Sequence, residues 1–183
     1  MLCCLRTSKG EDCITYLPMM PTSKRPKNSP GNAIPSTFRV AADVQKLAEI
    51  RSFVEASADA LQVDSTVVRE VVLAVDEAAS NIILHGYQGR AGFIDISIER
   101  QGDSLVVHLY DQAPPFDPTQ VPAPDLTLPL EERPVGKLGV YLIKHFMDEV
   151  IYKATPQGGN HLILMKEYIN SNNREENSND DND

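Results

Sequence analysis

The chain has 183 residues, 42% apolar and 23% charged, which fits one domain with a sizeable core plus flanking segments. Its net charge of −9 excludes the basic footprint that non-specific nucleic-acid binding needs, so no direct nucleic-acid partner is expected. No apolar run is long enough to span a bilayer, and MLCCLRTSKGEDC at the N-terminus has too short an apolar stretch for a secretory leader, so no membrane partner is expected. Cys3, Cys4 and Cys13 all fall in that stretch at no common zinc spacing, which points to a reducing compartment, the cytoplasm.

Residues 1–35 read as a solvated arm. Pro18, Pro21, Pro26, Pro30 and Pro35 interrupt any helix there. Order is expected to begin with a short strand at Ser36-Thr37-Phe38-Arg39-Val40. Asp43 then caps a helix to Leu61, with Leu47, Ile50, Val54, Ala58 and Leu61 on one face. Asp64 or Ser65 caps a second helix running to His85, with Gly86 as its C-cap. Its apolar stripe is Val68, Val71, Val72, Val75, Ala79, Ile82 and Ile83.

The period then changes. Ile94, Ile96 and Ile98 alternate with polar neighbours, Gln101-Gly102-Asp103 is a turn, and Leu105, Val107 and Leu109 alternate again, so a hairpin is expected. From Asp111 to Pro134 the chain is proline-rich and aperiodic, a long loop of the kind that is usually functional. Leu138 to Met147 is helical, and Glu149–Ala154 and His161–Tyr168 are strands. The order strand, two helices, two strands, loop, helix, two strands gives an α+β two-layer sandwich with helices on one face of a mostly antiparallel sheet. It spans residues 36–168, and residues 169–183 form an acidic tail.

Successive helical residues turn by about 100°, which stacks Glu77 and Asn81 one turn apart, opposite the apolar stripe. Ala74 and Ala78 flank them and leave room for something bulky. A carboxylate accepts protons, and a carboxamide oxygen is a neutral ligand of the kind magnesium takes beside phosphates. A solvated polar helix face would have the same composition.

Other segments decide between these readings. Asp76-Glu77-Ala78-Ala79-Ser80-Asn81-Ile82-Ile83-Leu84-His85-Gly86-Tyr87 resembles the N-box of the GHKL ATPase superfamily, in the E-A-x-x-N-x-x-x-H-G-Y form of anti-sigma factor serine kinases. Asp111-Gln112-Ala113-Pro114-Pro115-Phe116-Asp117-Pro118 resembles their first glycine box, D-x-G-x-x-F-D-P. Gly136-Lys137-Leu138-Gly139-Val140-Tyr141-Leu142-Ile143 resembles the second, G-G-L-G-L-x-L-I. Met147-Asp148-Glu149-Val150 and Gly159–Lys166 also fit.

The resemblance implies the GHKL (Bergerat) ATPase fold and a set of roles. Glu77 would be the general base, Asn81 the magnesium ligand and Asp111 the acceptor for the adenine 6-amino group. Residues 112–135 would form a flexible ATP lid carrying Arg133. Ala113, Gly136, Lys137, Leu138 and Gly139 would line the nucleotide, the glycines letting backbone N–H groups approach phosphate at a helix N-terminus. His85 would close its helix rather than catalyse. Ala113 and Lys137 stand where the pattern has glycine, and a need for positive φ at residue 113 would weaken nucleotide binding.

The function implied is an ATP- and magnesium-dependent protein serine kinase, a homodimer that phosphorylates an anti-sigma-factor antagonist and sequesters a sigma factor. The alternative is a non-catalytic, nucleotide-gated regulatory module of the same fold. A detached histidine-kinase module fits the D-x-x-P-P-F-D-P form less well.

Overall fold

The computed structural model describes residues 35–124, 137–156 and 158–168. The arm expected at 1–35, apart from Pro35, and the tail expected at 169–183 lie outside the described residues. Among the described residues no helix is long and apolar enough to cross a membrane.

Among the described residues, five strands and three α-helices follow the expected order: β1 (Ser36–Ala41), α1 (Leu47–Ala60), α2 (Ser65–Asn81), β2 (Phe93–Gln101), β3 (Ser104–Asp111), α3 (Lys137–Phe146), β4 (Glu149–Ala154) and β5 (Asn160–Glu167). The sheet order is β1-β2-β3-β5-β4, and every neighbouring pair is antiparallel. Ile94, Ile96 and Ile98 of β2, Leu105, Val107 and Leu109 of β3, and Leu162 and Leu164 of β5 share one core with Ile50 and Val54 of α1, Val71 and Val75 of α2, and Ile143 of α3. This is the expected α+β sandwich. Period-2 alternation puts Asp111 in phase with the inward residues of β3, and Asn160 in phase with those of β5. The register sets these two directly opposite each other.

The helix boundaries differ from expectation in physical detail. Asp43 accepts a hydrogen bond from Gln45 N–H, but the turn it caps is a 3-10 turn, Val44–Lys46, and α1 proper starts at Leu47. Asp64 caps α2 through Thr66 N–H, as expected. The regular helix stops at Asn81, not His85, and widens into a π-helical turn, Ile82–Tyr87, closed by Gln88 N–H donating to Ile83 O at 3.2 Å. Gly86 is therefore inside the turn and is not its C-cap. Gln88 holds the left-handed position, φ 53° and ψ 46°.

Two side chains explain the wide turn. The Tyr87 hydroxyl donates to Phe93 O and accepts from Gln112 N–H, both at 2.9 Å, which draws the chain toward the sheet. Arg90 donates to Tyr87 O and Gly86 O, both at 2.9 Å, and so satisfies carbonyls that the helix end leaves open. Wide turns of this kind recur at functional sites.

Candidate active site

At the end of the sheet where Asp111 and Asn160 meet, a cavity of about 300 Å³ opens between α2, the π turn, α3 and the loop after β3. Its apolar walls are Ile82, Phe116, Pro118, Ile143 and Leu162. A second hollow of about 260 Å³ lies beside it, lined by Glu77, Ser80, Leu84, Leu138, Gly139 and Leu142. Asn81 and His85 line both. The structure therefore brings Asp111, Ala113 and Asn81 to the first hollow and Glu77, Asn81, Leu138 and Gly139 to the second. Gly136 and Arg133 lie outside the described residues, and Lys137 is described only by its backbone.

Asp111 is 3% exposed. Its Oδ1 accepts from Ala113 N–H and from Asn160 Nδ2, both at 2.8 Å. Both bonds converge on one oxygen, which leaves Oδ2 for the cavity. Burial pushes the Asp111 carboxyl above its ordinary value, and the donors from Asn160 and Ala113 pull it part of the way back. A buried carboxylate with one oxygen outside these bonds suits an amino donor on a flat ring, which the apolar walls would sandwich.

Asn160 is the site residue that sequence reasoning missed. Its Nδ2 also reaches Ala113 O at 3.2 Å, and its Oδ1 accepts from Phe116 N–H at 3.0 Å and from the Tyr152 hydroxyl at 2.9 Å. One amide thus ties β3, β4, β5 and the loop together. A signal was present: Asn160 alternates in phase with Leu162 and Leu164, and a polar residue in a buried phase needs partners.

Lys144 was missed as well. From the last turn of α3 its Nζ donates to Thr119 O and Val121 O, both at 2.8 Å. Asp117 caps the 3-10 turn Pro118–Gln120 through Thr119. The first part of the expected flexible lid is therefore an anchored wall, while residues 125–136 lie outside the described residues.

Glu77 faces α3. A Cβ at Gly139 would sit 2.5 Å from Glu77 Oε2, so the glycine leaves the carboxylate room to pack there. Among the described residues Glu77 makes no hydrogen bond or ion pair. Burial, and secondarily the Asp76 carboxylate, hold its carboxyl above the ordinary value. Asp76 is itself paired with Arg51 of α1 at 2.6 Å. Ala78 lines the first hollow, as expected of a small residue that leaves room. Ala74 does not: it is fully buried in the core.

The site's own donors fit magnesium. The Asn81 carboxamide, shared by both hollows, offers a neutral oxygen, and a carboxylate lies one turn away. That set fits an ion that keeps several waters and takes its other oxygens from phosphates.

The histidine kinase-like ATPase domain model matches residues 40–166. The chain belongs to the histidine kinase-like ATPase family. It is 33% identical over 118 residues to an anti-sigma F factor of Thermoanaerobacter sp. (strain X514), covering 63% of this chain and 81% of the relative. It is 32% identical over 95 residues to the serine/threonine-protein kinase BtrW of Bordetella bronchiseptica, covering 51% and 66%. It is 30% identical over 119 residues to the serine-protein kinase RsbW of Bacillus cereus (strain AH187), covering 63% and 71%. The structure of the RsbU and RsbW domains of Rv1364c from Mycobacterium tuberculosis superposes with a TM-score of 0.53 at 13% identity. That match covers 74% of this chain and 32% of the longer one, and it shows the shared fold.

Proposed function

We propose that this member of the family is a cytoplasmic, ATP-dependent protein serine kinase and anti-sigma factor of a partner-switching system. Its substrate would be an anti-sigma-factor antagonist, its sequestered partner a sigma factor, and its working form a homodimer. The observation that carries the reading is the pair of adjoining hollows, with Asp111 in one, Glu77 in the other and Asn81 shared between them. The relatives named above, an anti-sigma factor and two serine kinases, point the same way.

In this reading Asp111 Oδ2 accepts from the adenine amino group while Ile82, Ile143 and Leu162 enclose the ring. Glu77 takes the proton of the acceptor serine as its oxygen bonds to the γ-phosphorus. The bond from that phosphorus to the bridging oxygen breaks, and ADP leaves with the electron pair. A magnesium ion, when bound, supplies charge neutralisation between the phosphates, and Asn81 is the described residue that suits it.

The non-catalytic alternative drew on Ala113 and Lys137. Ala113 does not take a positive φ, so its methyl adds no backbone strain, and half of that motive falls away. Transfer of labelled γ-phosphate to the antagonist encoded beside the gene, with Glu77→Ala as control, tests the proposal. Transfer that Glu77→Ala abolishes supports it. Tight ATP binding with no transfer to any such antagonist would establish the non-catalytic module instead.

A further inference from the structure

We infer that Gly86 and Ala113 act as one packing unit that sets the shape of the nucleotide hollow, with room for a single methyl group between them. The inference rests on the nucleotide reading above and names which residues fix the fit. Both residues line the first hollow. Ala113 is 2% exposed, so its methyl points into packed structure rather than solvent. A Cβ built at Gly86 would lie 2.9 Å from the Ala113 Cβ. Carbon atoms in packed interiors sit about 3.5–4.0 Å apart, so two methyls do not fit.

Neither side has freedom to move away. Ala113 N–H is bound to Asp111 Oδ1, and Ala113 O accepts from Asn160. On the opposite wall Gly86 O and Tyr87 O are both held by Arg90, and the Tyr87 hydroxyl is held between Phe93 O and Gln112 N–H. A second methyl would therefore displace either the Asp111 end of β3 or the π turn that carries His85. Each displacement deforms the hollow. The unit also accounts for the alanine at residue 113: Gly86 supplies the space its methyl needs.

The test is a cycle of Gly86→Ala, Ala113→Gly and the double variant in the full chain. Each is titrated calorimetrically with Mg-ATP and unfolded thermally without nucleotide. Overpacking in a fixed core makes Gly86→Ala weaken ATP binding about tenfold or more and lower the melting temperature. Ala113→Gly leaves a methyl-sized gap and weakens binding by roughly two- to fivefold. The double variant moves the methyl across the gap and regains most of what Gly86→Ala lost in both measurements. Where Gly86→Ala alone yields no folded protein, recovery of folded protein in the double variant is the supporting result.

A double variant as impaired as Gly86→Ala, or a Gly86→Ala protein that binds and melts like the wild type, overturns the inference. Failure of the wild type to bind Mg-ATP overturns the nucleotide reading instead, and the packing unit is then judged on the melting cycle alone.

Discussion

Replacing Asn160 with alanine is the most informative single change outside the residues named by motif. The substitution removes a charge-assisted bond to Asp111 at 2.8 Å and bonds involving Phe116 N–H, the Tyr152 hydroxyl and Ala113 O at 3.0, 2.9 and 3.2 Å. Neutral bonds contribute about 1 kcal/mol each and one to a charged group about 1.5–3 kcal/mol, and water recovers part of the loss, so a destabilisation of about 2–4 kcal/mol is expected. In urea that moves the unfolding midpoint down by roughly 1–2 M. Binding carries a second signature. Asn160 is one of the donors that hold the Asp111 carboxyl down against burial, so without it Asp111 protonates at higher pH. Mg-ATP affinity should therefore fall, and its loss on acidification should begin at higher pH than in the wild type. Asn160→Ser, which keeps one hydroxyl, should lie between. Urea melts with calorimetry across a pH series read both effects. A midpoint moved by less than about 0.3 M, together with an unshifted pH profile, would refute the hub role assigned to this amide.

Glu77→Gln should lower phosphoryl transfer by about 10²–10⁴-fold while leaving ATP affinity within a few-fold, as single-turnover assays and calorimetry will read. In the wild type, transfer requires the Glu77 carboxylate, which burial first and Asp76 second hold above the ordinary value of 4.5. Activity should therefore fall on acidification around a midpoint above that value. Gly139→Ala places a methyl against Glu77 Oε2 and should reduce transfer more than nucleotide binding. Asp111 binds its proton more tightly in the folded than in the unfolded chain, because burial raises its value from 3.8. Its contribution to stability is thus greatest below 3.8 and is lost as pH rises through the folded value. Asp111→Asn should consequently raise the melting temperature at neutral pH while weakening ATP binding, and a lowered melting temperature would count against the burial argument.

The fold was legible because its signals are periodic. Ile94, Ile96 and Ile98 alternate, Val140, Ile143 and Met147 recur at helical spacing, and both patterns match the buried faces. Glu77, Asn81 and Asp111 were legible because a motif marks them, and Asp111 also because it keeps the inward phase of β3. What escaped reading depends on contacts between distant segments. Nothing local in Ile82–Tyr87 signals a π turn, since the pull comes from the Tyr87 hydroxyl on Phe93 and Gln112. The packing of Gly139 against Glu77 is visible only once α3 lies beside α2. Lys144 reads as a solvated helix end until its carbonyl partners at 119 and 121 are placed beneath it.

The central claim is that the hollow at Asp111 and Asn160 binds an adenine nucleotide. Calorimetric titration of the full chain with Mg-ATP and Mg-GTP, repeated on Asp111→Asn, tests it most directly. The account predicts saturable ATP binding, GTP weaker by about tenfold or more because its ring presents a carbonyl where Asp111 needs a donor, and loss of that preference in the variant. Equal affinity for the two nucleotides, or an ATP affinity that Asp111→Asn leaves unchanged, would contradict it.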